Sequence, residues 1–319
     1  MPEELKCKSL KAIYKLENGV LDGPHKVEFN IIKDYPIHIS IEQAMIRTVT
    51  ITCDQDIGGR KLWEICLRIE QLIMLFDGMF IPLCLLEFTD SEYNTKEHLD
   101  SYSYNFIRTR LSYLCSADFC KYTSNKLIEF DKVLTSELYL NWERLLDELD
   151  TAHNVFLYSL SGINQLIDIR CAFLIELSEP LVQIVKKNHH YFSSLSPGAR
   201  GTTLKMCIDA LISKYGTDIF SKELSEEYEK LLKLFVNSRI KIMHIKSSKN
   251  KTSYLSGEES LIYAAKFYLL YRKIMFEMLD IDKTFYIDSL EKYVDFWNNF
   301  GNILMVFFKG LKNRTIKKI

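Results

Sequence analysis

Little in this sequence would interrupt a helix: twelve glycines and six prolines are spread over 319 residues. Their scarcity excludes a chain broken everywhere by turns and predicts long uninterrupted helices. An excess of charge of one sign is also missing. Lysine and arginine number 41 against 42 acids, a net charge of −1, which excludes a polycation that coats nucleic acid through its overall charge. Any such affinity must come from a local cluster. The eight cysteines form no C-x-x-C pair and have no histidine at ligand spacing, so neither a zinc site nor any cofactor is expected. No apolar run reaches the roughly 20 residues of a membrane span, and the opening Met1-Pro-Glu-Glu-Leu-Lys6 lacks a signal-peptide core. A cytoplasmic protein with free thiols and no membrane partner is expected.

What is present is ordinary globular material, 47% apolar and 26% charged. At this length two hydrophobic cores are expected. Between residues 11 and 53, runs such as Lys26-Val-Glu-Phe-Asn-Ile-Ile32 and Arg47-Thr-Val-Thr-Ile-Thr-Cys53 alternate or are broken by Gly23-Pro24 and Pro36, as strands joined by turns are. After Gly58-Gly59, Leu62, Ile65, Cys66, Ile69, Leu72, Ile73 and Phe76 recur at helical spacing. Cys84-Leu-Leu-Glu-Phe88 and Tyr104-Asn-Phe-Ile-Arg108 predict further strands. From Phe130 onward helical spacing takes over. The reading is therefore a mainly α protein, with a smaller, β-rich α+β domain over residues 1–129 and a helical domain over residues 130–319.

Within the helical part, residues 162–190 predict one long helix, kinked or restarted at Pro180. A shorter helix over residues 202–215 is expected to stop at Gly216 in the left-handed conformation. Ser221 or Ser225 opens the next helix, with Glu226 and Glu227 at its positive end and Leu231, Leu232, Leu234 and Phe235 as the buried stripe. It should end near His244. Ser256-x-x-Glu259 matches a capping box and starts an apolar helix to about Leu279. Four helices with short loops predict a bundle. Residues 284–311 add one helix or two short ones before a basic end.

The third bundle helix carries the sharpest constellation. Val236-Asn-Ser-Arg239-Ile-Lys-Ile-Met-His244 sets an arginine and a histidine at R-x4-H spacing beside a lysine-rich loop. The spacing alone is weak, but seven basic residues and no acid lie between Lys230 and Leu255, a positive patch in a slightly acidic chain. A histidine with a pKa near neutral exchanges protons, and an arginine holds two phosphate oxygens in its planar fork. Such a pair suits RNA, which carries its own nucleophile. Cleavage requires the 2′-OH deprotonated, the leaving oxygen protonated and the charge on the phosphorane balanced. Residues five apart lie about 140° apart around an ideal helix, so Arg239 must reach toward His244 or the helix must loosen at its end.

The stretch Leu234-Phe-Val-Asn-Ser-Arg239-Ile-Lys-Ile-Met-His244, a polar loop, and Glu258-Glu-Ser-Leu-Ile-Tyr-Ala-Ala-Lys-Phe-Tyr-Leu-Leu270 together resemble the HEPN domain of the ApeA-like family. The similarity extends back over Phe173-Leu-Ile-Glu-Leu-Ser-Glu-Pro180 and residues 204–215, covering about residues 160–281. The resemblance implies a HEPN-like antiparallel helical bundle. It further implies a metal-independent endoribonuclease of anti-phage defence, abortive infection or a toxin system, without a cofactor. Arg239 and His244 would be catalytic, Asn237, Lys241, Lys246 and Lys249 would meet the RNA, and a two-fold homodimer would line one groove with both motifs. The α+β region then reads as a sensor for a phage-derived trigger. Many members have a polar residue, commonly asparagine, directly after the arginine; here that place is Ile240, and Asn237 or Ser238 would substitute from the preceding turn. The alternative is a catalytically inactive HEPN-like module that binds RNA or protein.

Each feature also has a plainer reading. A histidine at a helix end is favoured by the dipole alone, and lysines there form a solvated basic face. Glu176 and Glu179 either orient Arg239 or His244 across the bundle or sit on its surface. His189-His190 lacks nearby carboxylate or thiolate partners, Gly198-Ala-Arg-Gly201 reads as a turn, and the aromatic residues of the last helices read as core.

Overall fold

A computed structural model describes residues 5–15, 24–79, 81, 83–90, 96–114, 126–160, 166–184, 191–195, 201–243 and 253–300. The fold is mixed and helix-rich, with an antiparallel sheet near the N-terminus. The chain forms two compact units, residues 1–147 with 160–163, and residues 148–159 with 164–319.

In the first unit, β1 (Lys6–Lys15), β2 (His25–Ile32), β3 (Pro36–Gln43), β4 (Ile46–Gly58) and β5 (Leu83–Asp90) make one sheet in the order β2-β3-β4-β1-β5. Every neighbouring pair is antiparallel. Alternation sets its faces: Leu10 and Ala12 of β1, Ile39 and Ile41 of β3, and Val49 and Ile51 of β4 are buried. β4 runs without a loop into α1 (Gly59–Asp77), whose buried stripe packs on β1 and β4. A Cβ on Gly59 would come within 2.7 Å of the Tyr102 ring, so close packing selects glycine at this junction.

Tyr102 belongs to α2 (Lys96–Leu114), and the strand expected over residues 104–108 is helical. Tyr102, Tyr104 and Phe106 imitate the two-residue period of a strand. Yet the four-apart pair Tyr102 and Phe106, with rings 4.9 Å apart, is what packs on Phe88 of β5, while Tyr104 stays exposed.

The first unit runs on to residue 147, and two further helices follow the sheet within it or reach its end. The short α3 (Phe130–Val133) packs on β2. From α4 (Ser136–Leu149), buried Glu143 accepts from Lys33 Nζ at 2.6 Å, Arg68 Nη1 at 2.7 Å and the Tyr139 hydroxyl at 2.9 Å. Trp142 Nε1 donates to the Arg68 carbonyl at 2.8 Å. Burial pushes the Glu143 carboxyl up, but these donors outweigh it and leave the group below the usual carboxylate range. Glu143→Gln should therefore cost roughly 1–3 kcal/mol in urea denaturation, since Lys33 loses its carboxylate and Arg68 keeps only Asp147 at 3.7 Å; a loss under about 0.5 kcal/mol would show the network to be incidental.

In the second unit, Asp150 at φ 40° turns the chain into α5 (Thr151–Leu160). The long helix expected over residues 162–190 is two helices where it is described, α6 (Ile167–Glu176) and α7 (Ser178–Ile184). The break comes at Leu177, upstream of Pro180. A proline ring crowds the carbonyl four residues back, here Glu176, and in the first turn of α7 its missing N–H leaves no helical bond unmade. Next comes α8 (Leu204–Tyr215), capped by the Thr203 hydroxyl, which accepts from the Met206 N–H at 3.4 Å. Gly216 ends it at φ −114°, not in the expected left-handed conformation. A Cβ there would sit 3.1 Å from Ile212 Cα and 3.2 Å from Leu270 Cδ1, so a larger residue would crowd both neighbours.

Then follow the short α9 (Ser221–Leu224), α10 (Tyr228–Met243), α11 (Gly257–Met278) and α12 (Ile287–Asn298). The expected capping box opens α11: the Glu259 N–H donates to the Ser256 hydroxyl at 3.2 Å and the Ser256 N–H to the Glu259 carboxylate at 2.7 Å. α10 and α11 pack on α6, and α8 packs on α7, α10 and α11.

His153 of α5 is fully buried, stacked with Phe156 and Tyr271, its Nδ1 2.9 Å from the Tyr271 hydroxyl. Burial pushes its pKa down to about 3. In the unfolded chain it titrates near 6.5, so below that pH the unfolded state binds a proton that the folded state refuses. Stability should fall between about pH 6.5 and about pH 3, by up to about 1.4 kcal/mol per pH unit. Denaturant titrations between about pH 7.5 and about pH 5 check this: His153→Phe should flatten the slope, and an unchanged slope would assign it to other groups.

Candidate functional site

The first turns of α10 bury Leu231, Leu232 and Phe235, with Leu234 half-buried; from Val236 to Met243 no side chain is fully buried. Arg239 stands on this emerging end, one turn before Met243. Opposite it, Glu176 closes α6. Arg239 Nε donates to Glu176 Oε2, and Nη2 donates to Oε1 at 2.6 Å, a two-pronged pair. Hydrogen bonding to Glu176 raises the already high pKa of the guanidinium, and the charges of Glu176 and Glu179 add to the effect. The side chains of Arg239 and Glu176 are 20% and 28% exposed, so the pair is reachable from water. It uses the Nε–H and one Nη2–H; Nη1 and the second Nη2 proton form the other edge of the fork.

Around the arginine, Asn237 Nδ2 donates to the Ser253 carbonyl at 3.3 Å, and the Ser238 hydroxyl accepts from the Leu255 N–H at 2.8 Å. Both side chains clip residues 253–255 along α10, and Glu176 is what orients the guanidinium beside the apolar Ile240. Lys241 Nζ lies 4.5 Å over the Tyr254 ring. His244, Lys246 and Lys249 lie outside the described residues, as do His189, His190 and residues 198–200; Gly201 sits in a turn at φ 90°. The basic patch is less positive than its sequence window, because acids outside the window reach in: Glu227 pairs with Lys230 at 2.6 Å, and Glu176 with Arg239.

Other chemistry has less footing. Burial pushes the Cys207 thiol up to about 11 and that of Cys171 higher still, away from a nucleophilic thiolate. A pocket in the first unit, lined by residues including Tyr14, Arg47, Glu70 and Met74, has room for about one water molecule. Among the described residues, the donor atoms of His25, Glu129 and Asp131 are the one set of three grouped closely enough for a metal ion. No local signal marks that set, since His25 and Asp131 are 106 positions apart. No helix among the described residues is long and apolar enough to cross a membrane.

Comparison with models of known families, with characterised proteins and with solved structures finds no match to this chain. The functional reading rests on its own residues. A double-mutant cycle of Glu176→Ala and Arg239→Ala should return a coupling of about 1 kcal/mol, with helix content unchanged by circular dichroism. Zero coupling would show a pair without energetic weight.

Proposed function

We propose that this chain is a metal-independent endoribonuclease of the HEPN type, its second unit a HEPN-like antiparallel bundle. In this reading Arg239 binds the scissile phosphate, His244 exchanges the proton, and Asn237, Lys241, Lys246 and Lys249 meet the RNA backbone. The observation that supports it best is the arginine in the last turns of α10, oriented by Glu176 through one edge of its fork. The remaining edge has the geometry to take two oxygens of a phosphodiester. Orientation in advance is what an arginine that stabilises phosphorane charge requires, since no reorganisation is then left for the reaction itself.

A homodimer through the bundle would set two such motifs along one groove. The sheet-bearing first unit would sense a phage-derived trigger in the cytoplasm, where cleavage of RNA arrests growth. A second reading, an inactive HEPN-like module that binds RNA or protein, is favoured by one observation: Arg239 already has a carboxylate partner, and Ile240 follows it.

RNA incubated with purified protein separates the two. The nuclease reading expects 2′,3′-cyclic phosphate ends, cleavage that persists in EDTA, and a loss of at least about 100-fold in His244→Ala with the oligomeric state unchanged. Arg239→Lys should not restore activity, because an ammonium lacks the fork. Unchanged cleavage by His244→Ala would sink the nuclease reading; RNA binding without cyclic phosphate ends under any condition would establish the second.

A further inference from the structure

We infer that Tyr254 is a stacking platform for an unpaired nucleobase, so that the strand meeting the last turns of α10 is single-stranded RNA; this rests on the RNA-binding part of the proposed function and not on cleavage. Tyr254 lies just ahead of α11, and it is held from both sides. Asn237 Nδ2 donates to the Ser253 carbonyl at 3.3 Å, and the Leu255 N–H donates to the Ser238 hydroxyl at 2.8 Å. The Leu255 side chain is buried, and Ser256 is already the cap of α11. A ring on a backbone so fixed loses little further entropy when a base settles on it.

The partner of the ring points the same way. Tyr263 and Tyr271 pack against other rings, Phe235 and Phe156, whereas half-buried Tyr254 is matched with a cation, the exposed Lys241, whose Nζ stands 4.5 Å over its face. A cation on a ring that water reaches contributes little to folding. A π-face beside an ammonium is, however, the combination that a nucleotide takes: the ring accepts the base and the ammonium its phosphate. The pair also belongs to the run from Lys230 to Leu255 that holds seven basic residues and no acid, so an anion is attracted to it.

Placement decides between single and double strands. Residues two apart lie about 160° apart around a helix that is about 10–12 Å wide with its side chains. Arg239 therefore faces Glu176 on one side of α10, and Lys241 faces Tyr254 on nearly the opposite side. The guanidinium and the ring serve different nucleotides of one strand, which must bend around the helix to reach both. A flexible single strand can do so and can turn a base out onto the ring; a duplex keeps its bases paired and is too stiff and wide.

Fluorescence anisotropy with the full chain and a labelled 2′-O-methyl RNA, either single-stranded or annealed to its complement, reads binding apart from cleavage, because the methylated strand lacks the attacking 2′-OH. The single strand should bind at least about 10-fold more tightly than the duplex. Tyr254→Phe should keep that affinity. Tyr254→Leu, which retains apolar bulk beneath Lys241 but no π-face, should lower it about 5–100-fold. An abasic site walked along the strand should weaken binding to the wild type at one position and lose that effect in Tyr254→Leu. Equal binding by the wild type and Tyr254→Leu, equal affinity for strand and duplex, or no binding of either would overturn the inference. Cleavage of unmodified RNA, followed in parallel, keeps the two readings apart: stacking without cyclic phosphate ends would remove only the nuclease, and cleavage with binding indifferent to Tyr254→Leu would remove only the platform.

Discussion

The packing of α10 and α11 on α6 is the constraint from which the rest of the second unit follows. α6 has only ten residues, and its buried face is Cys171, Ala172, Leu174 and Ile175. Two of these are small, which lets neighbouring helices approach closely, and the larger two each contribute about 1.5–3 kcal/mol by burial. The Arg239 to Glu176 pair is worth only about 1 kcal/mol. Apolar packing therefore places the charges. Glu176 lies where α6 ends, and Arg239 meets it because Leu231, Leu232 and Phe235 have already fixed the rotation of α10. A change that altered the fit of α6 would move the arginine without touching it.

Polar groups inside the two units are settled in three physically different ways. Glu143 remains ionised because three donors outweigh its burial. His153 takes the opposite course and stays neutral, so that no charge is buried at all. Lys266 lies between: it is fully buried, bonds Glu223 and Asn298 at 2.6 Å each, and still has its pKa lowered by burial. Through those bonds it ties α11 to α9 and α12. Direction specifies these junctions more than energy does, since a buried ion pair rarely repays its desolvation in full.

Features governed by a few neighbouring residues were legible in the sequence. The capping box at Ser256 and Glu259, the amphipathic α1 and the alternation of β2 and β4 all depend on local spacing. Features governed by distant partners were not. Tyr102, Tyr104 and Phe106 satisfy both a two-residue and a four-residue period, and Phe88 on another strand decides between them. Gly216 looks like a left-handed cap, yet its φ is negative and what limits the space there is Ile212 together with Leu270. Of the site, Arg239 was readable from its motif, and Glu176 was readable only as one of two options, because nothing on α6 says which face meets α10.

The carboxylate behind Arg239 changes what the basic patch is able to do. A lone guanidinium would attract phosphate strongly and hold it loosely, since a long side chain samples many rotamers. Clamped by Glu176, it loses most of its long-range pull, because the pair is close to neutral beyond a Debye length of about 8 Å, but gains a fixed direction. Attraction and orientation are thereby divided between residues. In the proposed nuclease, lysines such as Lys241 would draw the polynucleotide in, and Arg239 would act only at contact distance, where the free edge of its fork outweighs the carboxylate on the other. A carboxylate that aims the guanidinium suits a role in which placement matters more than charge, and the proposed nuclease would draw on that direction.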